Sequence, residues 1–485
     1  MNAPRATLTK QTIWIGGATA FTALSEFIFV PIFTKLFGSE TYGVWVTYIT
    51  IVQLITPITL LGLNGAFIRF TAGVEDKEEI RENFYSAFVI IFAFSLVVSI
   101  LLSLISSHLP PRLFGKESGA HELIKVGSFL IFSWALQLLV LSYYRAFLRM
   151  RKYALLIMAQ TSLEILAVLF LALHGYKLIT IVSSFIAIRF AIFILCYTGI
   201  VKEIGIKAPD FSNIKPYLYY GLPLIVSSAL VWIVKLSDRL IIKYFLDFSA
   251  VGIYSAAYNI ASIVTLYSVT LQGGLAPTLA TLWNQNKIEK AREKLSLSLK
   301  YFLLFAIPSC FGLLALSKEI LRVFTRPEFI EKGYLIIPIV GFAITCYGIY
   351  FLSANVLGLV KKTYLITIIL GVGALINVVL NFLLIPRINI LGAAIATLIA
   401  FIFMAFVMVL TAHKYLEFGL NPNFIVKSIL ASGIMAFIIS QLYVSNLSTL
   451  IFAVLVGVVV YGILIFLLRG ITKEEIMNLK SSFLK

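Results

Sequence analysis

The chain is poor in charge. Asp, Glu, Lys and Arg make up 13% of its 485 residues, against about 25% in a soluble globular domain. With 60% hydrophobic residues and a mean hydropathy of +0.99, a water-covered surface around a single core is excluded. Several chemistry-bearing patterns are also missing. There is no G-x-x-x-x-G-K-[ST] loop, no H-E-x-x-H, no paired-Cys motif and no G-x-S-x-G. Their absence argues against ATP binding by that loop, zincin chemistry and a serine elbow. Cys196, Cys310 and Cys346 all fall inside apolar runs and read as small packing residues, not as a disulfide or metal site. The longest polar stretches, near 67–83, 200–215 and 284–299, are too short to bury a core. No catalytic residue, metal or cofactor is expected, and the chain does not read as an enzyme.

What is abundant is long apolar runs. About 18–20 residues cross a hydrocarbon core about 30 Å thick, and the sequence contains fourteen such stretches. They lie near 12–36, 43–66, 84–107, 122–143, 154–174, 178–199, 216–244, 251–274, 300–317, 334–357, 364–385, 391–411, 424–444 and 449–468. Lipid offers backbone groups no partner, so each run is expected to be a helix. The runs lack the period of two that a barrel strand shows. The fold class is therefore all-α and polytopic. The first run is longer than a cleaved leader and holds Glu26 and Pro31, so it is read as a retained span.

The net charge of +17 follows topology and needs no nucleic-acid partner. Of the 39 Lys and Arg, 25 fall at the two termini and in alternate loops. Twelve fall on the opposite side, and Lys125 and Arg189 lie inside spans. The excess marks the cytoplasmic face, which places both termini there in a multi-pass protein of the cytoplasmic membrane. The cluster Arg145, Arg149, Arg151 and Lys152 lies on that face. It reads as a topology anchor meeting anionic headgroups, with a substrate headgroup site as the sharper alternative.

Two stretches recur at nearly constant spacing. Thr34-Lys35-Leu36-Phe37 to Tyr42-Gly43-Val44-Trp45 matches Lys243-Tyr244-Phe245-Leu246 to Val251-Gly252-Ile253-Tyr254 at an offset of 209. Arg151-Lys152-Tyr153-Ala154-Leu155 matches Lys361-Lys362-Thr363-Tyr364-Leu365 at 210. Spans 1–6 and 7–12 thus read as two six-helix repeats. An even number of spans per repeat makes them parallel, a transporter signature. The expected organisation is an N-terminal lobe at 1–205, a second lobe at 206–415, and two additional helices with a cytoplasmic tail at 416–485.

Charges inside spans cost roughly 2.5–3.5 kcal/mol each and rarely face lipid. Glu26 sits near the middle of the first span, and Lys235 is its counterpart at the repeat offset. Both are candidates for a central cavity, as a charge pair or proton-sensitive gate; a static packing pair is the plainer alternative. Lys235, Arg239 and Lys243 are four apart and share one helix face, with Asp238 beside them. Such a stripe suits an anionic group such as a phosphate, although Arg239 and Lys243 can instead snorkel to the interface. Arg69 ends the second span, either snorkelling or at a cavity mouth. Glu164 and Arg189 read as a structural ion pair, and Asn377 with Asn381 as interhelical hydrogen-bonding groups. Pro31, Pro57, Pro223, Pro277, Pro308 and Pro338 suggest bent helices.

Ser237-Asp238-Arg239-Leu240-Ile241-Ile242 through Ala250-Val251-Gly252-Ile253-Tyr254-Ser255 resembles a family. So do Asn377-Val378-Val379-Leu380-Asn381 through Ile385-Pro386, Leu391-Gly392-Ala393-Ala394-Ile395-Ala396-Thr397, Phe37-Gly38 to Trp45, and Gly62-Leu63-Asn64 to Arg69-Phe70. The family is the polysaccharide and O-antigen lipid flippases of the multidrug/oligosaccharidyl-lipid/polysaccharide exporter superfamily. The resemblance implies two lobes in a V and a cavity lined by spans 1, 2, 7 and 8. It implies cargo of polyprenyl-phosphate- or pyrophosphate-linked oligosaccharide flipped from the inner to the outer leaflet. Glu26, Lys235, Asp238 and Arg239 would lie on cavity-lining helices. Fourteen spans are similar to the peptidoglycan-precursor flippases, whose last two helices form a lipid groove. Expected partners are that lipid-linked sugar, membrane lipids, H+ or Na+ as coupling ion, and polysaccharide assembly proteins. Two other readings compete. One is an ion-coupled multidrug exporter, against which the basic stripe argues. The other is a membrane polysaccharide polymerase or ligase, which would need a longer outer loop.

Overall fold

A computed structural model describes residues 5–108, 120–212 and 214–471. The tail beyond 471 lies outside the described residues. Among them the regular structure is helical throughout, without strands. Twelve helical runs are long and apolar enough to cross a membrane. Two are about double length, Trp14–Thr59 with 46 residues and Thr363–His413 with 51. At 1.5 Å per residue each would reach about 70 Å if straight.

Neither is straight. The first helix, α1 (Arg5–Thr59), breaks at Gly38, where φ is 79° and ψ is −179°. Its two limbs fold together, because Phe33 stacks on Trp45 at 5.3 Å and meets Tyr42 at 6.0 Å. A twelve-residue separation along a straight helix would be about 18 Å. The fourteenth helix in chain order, α14 (Thr363–His413), breaks at Ile388 and Asn389. There Asn377 Nδ2 donates to Thr397 Oγ1 at 3.3 Å, and a Cβ at Gly392 would lie 2.6 Å from the Leu384 carbonyl carbon. Asn381 Nδ2 donates to the Asn377 side chain at 3.0 Å and to its carbonyl at 2.8 Å. Each bent helix thus carries two of the sequence spans, and twelve runs make fourteen crossings. The prolines inside α1, Pro31 and Pro57, bring no such break; the breaks fall at residues with positive φ, Gly38 and Asn389.

The other helices are α2 (Leu63–Thr71), α3 (Lys77–Ile105), α4 (Ala120–Ala146), α5 (Met150–Leu173), α6 (Leu178–Ile204), α7 (Ile214–Phe245), α8 (Phe248–Ala261), α9 (Thr265–Asn284), α10 (Ile288–Ala315), α11 (Ser317–Phe324), α12 (Ile330–Gly333), α13 (Ile336–Leu359), α15 (Pro422–Ser440) and α16 (Leu447–Leu467). The chain divides into two compact units, Met1–Ser255 and Ala256–Lys485.

In the first unit α4 packs against α3, α6, α1 and α2. Its core is an aromatic ladder: Phe67 on Phe84 at 6.0 Å, Phe84 on Tyr143 at 5.8 Å, and Phe88 on Tyr197 at 5.1 Å. The connector after α6 is tied to α3. Tyr85 donates to the Gly205 carbonyl at 2.9 Å, Ser86 to that of Asp210 at 2.6 Å, and Lys207 to Glu82 at 2.6 Å. The Glu82 hydrogen bond holds the Lys207 ammonium above the ordinary lysine range.

A buried polar chain links α4, α5 and α6. Gln137 donates to Gln160 at 2.6 Å, Gln160 to Glu164 at 3.0 Å, and Arg189 meets Glu164 at 2.9 Å beneath the Trp134 ring. Glu164 and Arg189 are 6% and 8% exposed, so neither charge reaches an interface and each depends on the other.

The tightest packing involves glycine. A Cβ at Gly43 would fall inside the envelope of the Phe248 carbonyl, and one at Gly252 inside that of Ser39. The Ser39 and Ser249 hydroxyls bond at 2.7 Å. These two segments are the ones that the sequence offset pairs, and each presents the same positions to the other.

In the second unit α13 packs along α14, and α15 along α10 and α16. Ser428 and Tyr461 hydroxyls bond at 2.8 Å between α15 and α16, and the Asn446 side chain caps α16.

Two outcomes follow for the purified protein in detergent. Gly43→Ala and Gly252→Ala each lower unfolding stability by about 2 kcal/mol or more, the upper range for overpacking; Gly462→Ala, where a Cβ meets nothing within 4 Å, leaves the melting temperature unchanged. Glu164→Ala costs roughly 3–5 kcal/mol by stranding Arg189, whereas an apolar replacement of both partners costs far less. Equal melting of the single and double variants would show that the pair does not govern this site.

Candidate functional site

The first unit places the expected residues on α1, α2 and α7. Glu26 lies in the first limb of α1 and Lys235 in α7, within electrostatic range of each other. Glu26 is exposed by surface area yet desolvated by surrounding protein. Its carboxylate thus keeps accessible area while protein crowds around it. Lys235 is half-buried. α7 is held against the second limb of α1 by Trp232, whose indole donates to the Thr50 carbonyl at 2.9 Å.

One turn along α7 the environment changes. Asp238 and Arg239 are 2% and 3% exposed. Arg239 donates from Nη1 to Asp238 Oδ1 at 2.6 Å and to the Lys235 carbonyl at 2.5 Å. Tyr254 of α8 donates its hydroxyl to Asp238 Oδ2 at 2.5 Å, and the guanidinium lies 5.6 Å from the Tyr254 ring. Both Asp238 oxygens and one Arg239 nitrogen are thereby spent inside the protein. In this conformation the pair joins α7 to α8 and presents no surface to a ligand. Lys243, the last of the stripe, is buried with its ammonium 4.5 Å from the Phe248 ring. The basic stripe therefore holds its register on one helix face, with Lys235 within electrostatic range of Glu26.

Arg69 occupies the last turn of α2. Leu61 and Gly62, with φ of 50° and 67°, turn the chain from α1 into α2. A Cβ at Gly62 would lie 2.5 Å from the Gly221 Cα, so glycine on both sides lets the turn press onto α7. This brings Arg69 over the Tyr220 ring at 5.2 Å and Phe70 against Tyr217 at 4.9 Å. Arg69 is exposed, and no carboxylate among the described residues lies within 4.0 Å of it. It is a presented cation on an aromatic floor, at the opposite end of α7 from Lys243.

The structure thus leaves Glu26 and Lys235 within electrostatic range of each other, gathers Asp238 and Arg239 into a buried knot, and sets Arg69 apart. Reading the sequence missed Tyr254 and Tyr220 as partners of Arg239 and Arg69. Tyr254 stood inside a motif with Asp238, but sixteen residues away no helical spacing joins them. It also missed Gln137, Gln160 and Trp134 around Glu164 and Arg189; of these only Gln160, one turn before Glu164, left a readable spacing.

Two family models match the chain and overlap at residues 223–283. A family model described as polysaccharide biosynthesis protein matches residues 8–283, and the MatE model matches 223–383. The probable low-salt glycan biosynthesis flippase Agl15 of Haloferax volcanii is 25% identical, over 97% of this chain and 98% of its own. The probable flippase AglR of the same organism is 26% identical over 51% of this chain and 53% of its own. Among solved structures, lipid II flippase MurJ in an inward closed conformation aligns with a TM-score of 0.78 at 22% identity, over 92% of this chain and 96% of that one. An inward-facing multidrug resistance MATE family transporter aligns at 0.68 and 14% identity, over 82% and 94%. These structures share the fold. The polysaccharide biosynthesis match spans more than half of the residues, and the chain belongs to that family, within the multidrug/oligosaccharidyl-lipid/polysaccharide exporter superfamily.

Proposed function

We propose that this protein is a flippase for a polyprenyl-phosphate- or pyrophosphate-linked oligosaccharide. It carries the cargo from the inner to the outer leaflet of the cytoplasmic membrane by alternating access between lobes 1–205 and 206–415. Both termini face the cytoplasm. The observation that carries the reading is the mid-span pair of Glu26 in a recess and half-buried Lys235. Charges at that depth are tolerated where they line protein or water. The near full-length likeness to a protein named a glycan flippase supports the cargo class.

The meeting of Ser39 with Ser249 and of Gly43 with Gly252 supports parallel lobes. Positions equivalent in two repeats touch only where the axis relating them passes. The charge balance supports the chemistry. At rest Lys235 answers Glu26. An arriving phosphate competes for the ammonium and leaves Glu26 without a counter-charge, which a proton or Na+ then supplies. Arg69, presented on Tyr220, offers a first contact for the phosphate at one end of the path. The knot of Asp238, Arg239 and Tyr254 keeps α7 and α8 rigid while the recess is exchanged between faces.

A multidrug exporter is the second reading, favoured by the MatE match at 223–383. A recess whose mid-span cation is Lys235 disfavours cationic drugs.

The test is translocation in proteoliposomes, with a fluorescent polyprenyl-pyrophosphate oligosaccharide and a cationic dye as alternative cargo. The lipid-linked sugar crosses and the dye does not; the reverse result would install the exporter reading. Loss of a charge-assisted contact makes Lys235→Ala and Arg69→Ala slower by about tenfold or more each. A sodium or proton gradient accelerates the wild type, while Glu26→Gln transports at a rate indifferent to both gradients. Gradient-sensitive transport by Glu26→Gln would remove Glu26 from the coupling.

A further inference from the structure

The turn between α4 and α5 carries four cations, and among the described residues Arg149 is the one ion-paired with a carboxylate. Arg149 is clamped by Glu203 through two hydrogen bonds of 2.6 and 2.5 Å. Among the described residues Arg145, Arg151 and Lys152 have no carboxylate within 4.0 Å, and all three are exposed. Each lies on an aromatic ring, and two of the contacts are reciprocal. Lys152, in the first turn of α5, sits 4.5 Å from the ring of Tyr144 in the last turn of α4. Arg145 of that last turn sits 5.7 Å from Tyr153 of α5. Arg151 lies 5.6 Å from Trp14 of α1. The turn itself is set by Leu148 at φ 55°, which is 55% exposed, and by the Arg149 amide donating back to the Tyr144 carbonyl at 2.8 Å. Glu203, already clamped by Arg149, also feels Lys152 electrostatically, so four cations share one carboxylate where two membrane helices end.

An apolar track leads away from them. On α5 the exposed large side chains are Leu155, Leu163, Leu166, Leu169, Phe170 and Leu173. At 100° per residue they and Arg151 share an arc of about 120°, while buried Ala154, Thr161, Glu164 and Val168 lie on the opposite side. The surface is thus cationic at one end and largely apolar below it, with Ser162 the polar side chain within the arc. At the repeat offset of 210 the second lobe keeps Lys361 and Lys362 but has Asn355 and Leu359 in place of Arg145 and Arg149. A charge placed only to orient the chain would not require the extra cations in one lobe alone.

The geometry points to a specific site for an anionic bilayer phospholipid, with its headgroup phosphate on Arg145, Arg151 and Lys152 and its acyl chains along the exposed face of α5. The site is separate from the Glu26 and Lys235 recess and does not rest on the cargo reading. The aromatic rings under the cations belong at headgroup depth, and the length of the track suits an acyl chain, not a free anion.

Native mass spectrometry of the full chain from nanodiscs of mixed phosphatidylglycerol and phosphatidylcholine tests this. The wild type retains phosphatidylglycerol over phosphatidylcholine. At roughly fivefold per cation near a membrane surface, the triple variant R145Q/R151Q/K152Q loses that preference almost completely. R145K/R151K/K152R keeps it, and so does K361Q/K362Q. Melting in phosphatidylcholine alone reports the folding of each variant; if the triple variant is unfolded there, Lys152→Gln alone is read for a partial loss. Undiminished retention by the folded neutral variant overturns the site. Displacement of phosphatidylglycerol by inorganic phosphate shows a free-anion site instead, and preferential retention of polyprenyl phosphate in a competition shows a cargo site; either overturns the assignment to a bilayer lipid.

Discussion

Hydrocarbon supplies no hydrogen-bond partner, and this constraint orders the whole molecule. Every polar group within a span must be answered by protein, by a water-filled recess, or by the interface at its end. The first unit shows all three solutions. Glu164 and Arg189 are answered inside the protein through Gln160 and Gln137. Asp238 and Arg239 are answered by each other and by Tyr254. Glu26 keeps an accessible surface within electrostatic range of Lys235. Arg145, Arg151 and Lys152 stand at the adjoining ends of α4 and α5, the interface solution. A charge that is buried and spent differs physically from one that is deep and still reachable, and that difference separates scaffold from site.

The same constraint explains the use of glycine. Without a hydrophobic drive between helices in lipid, close backbone approach and dispersion hold them together. Gly43 against the Phe248 carbonyl, Gly252 against Ser39, and Gly62 against Gly221 are three such approaches, all involving the second limb of α1, its junctions or its partners. They lock that limb between α7 and α8.

Much of the fold was legible in the sequence. The fourteen runs correspond to crossings, and the short polar breaks near residues 38 and 388 correspond to the bends of α1 and α14. Periodicity and length decide these features, and both are properties of a single segment. The 209-residue offset also identified the two segments that meet at Ser39 and Ser249. Less of the site was legible. Helical spacing correctly put Lys235, Arg239 and Lys243 on one face, but a face says nothing about what covers it. Tyr254 and Phe248 cover two of the three. The aromatic floor of Arg69 likewise depends on the Gly62 turn pressing α2 onto α7, a tertiary event with no local signature.

The central claim is that the surroundings of Lys235 form a recess reached from one side of the membrane at a time and occupied by the cargo. Its most direct measurement is thiol accessibility. A single cysteine at position 231, an exposed site one turn from Lys235 on the same face of α7, in a background with Cys196, Cys310 and Cys346 replaced and Lys235 kept, is exposed to an impermeant thiol reagent from either face of sealed vesicles. The account predicts labelling from each face in turn as the conformation changes, and protection by a lipid-linked oligosaccharide but not by the free sugar. A position 231 that stays unlabelled from both faces, or that is labelled equally with and without the cargo, would contradict it.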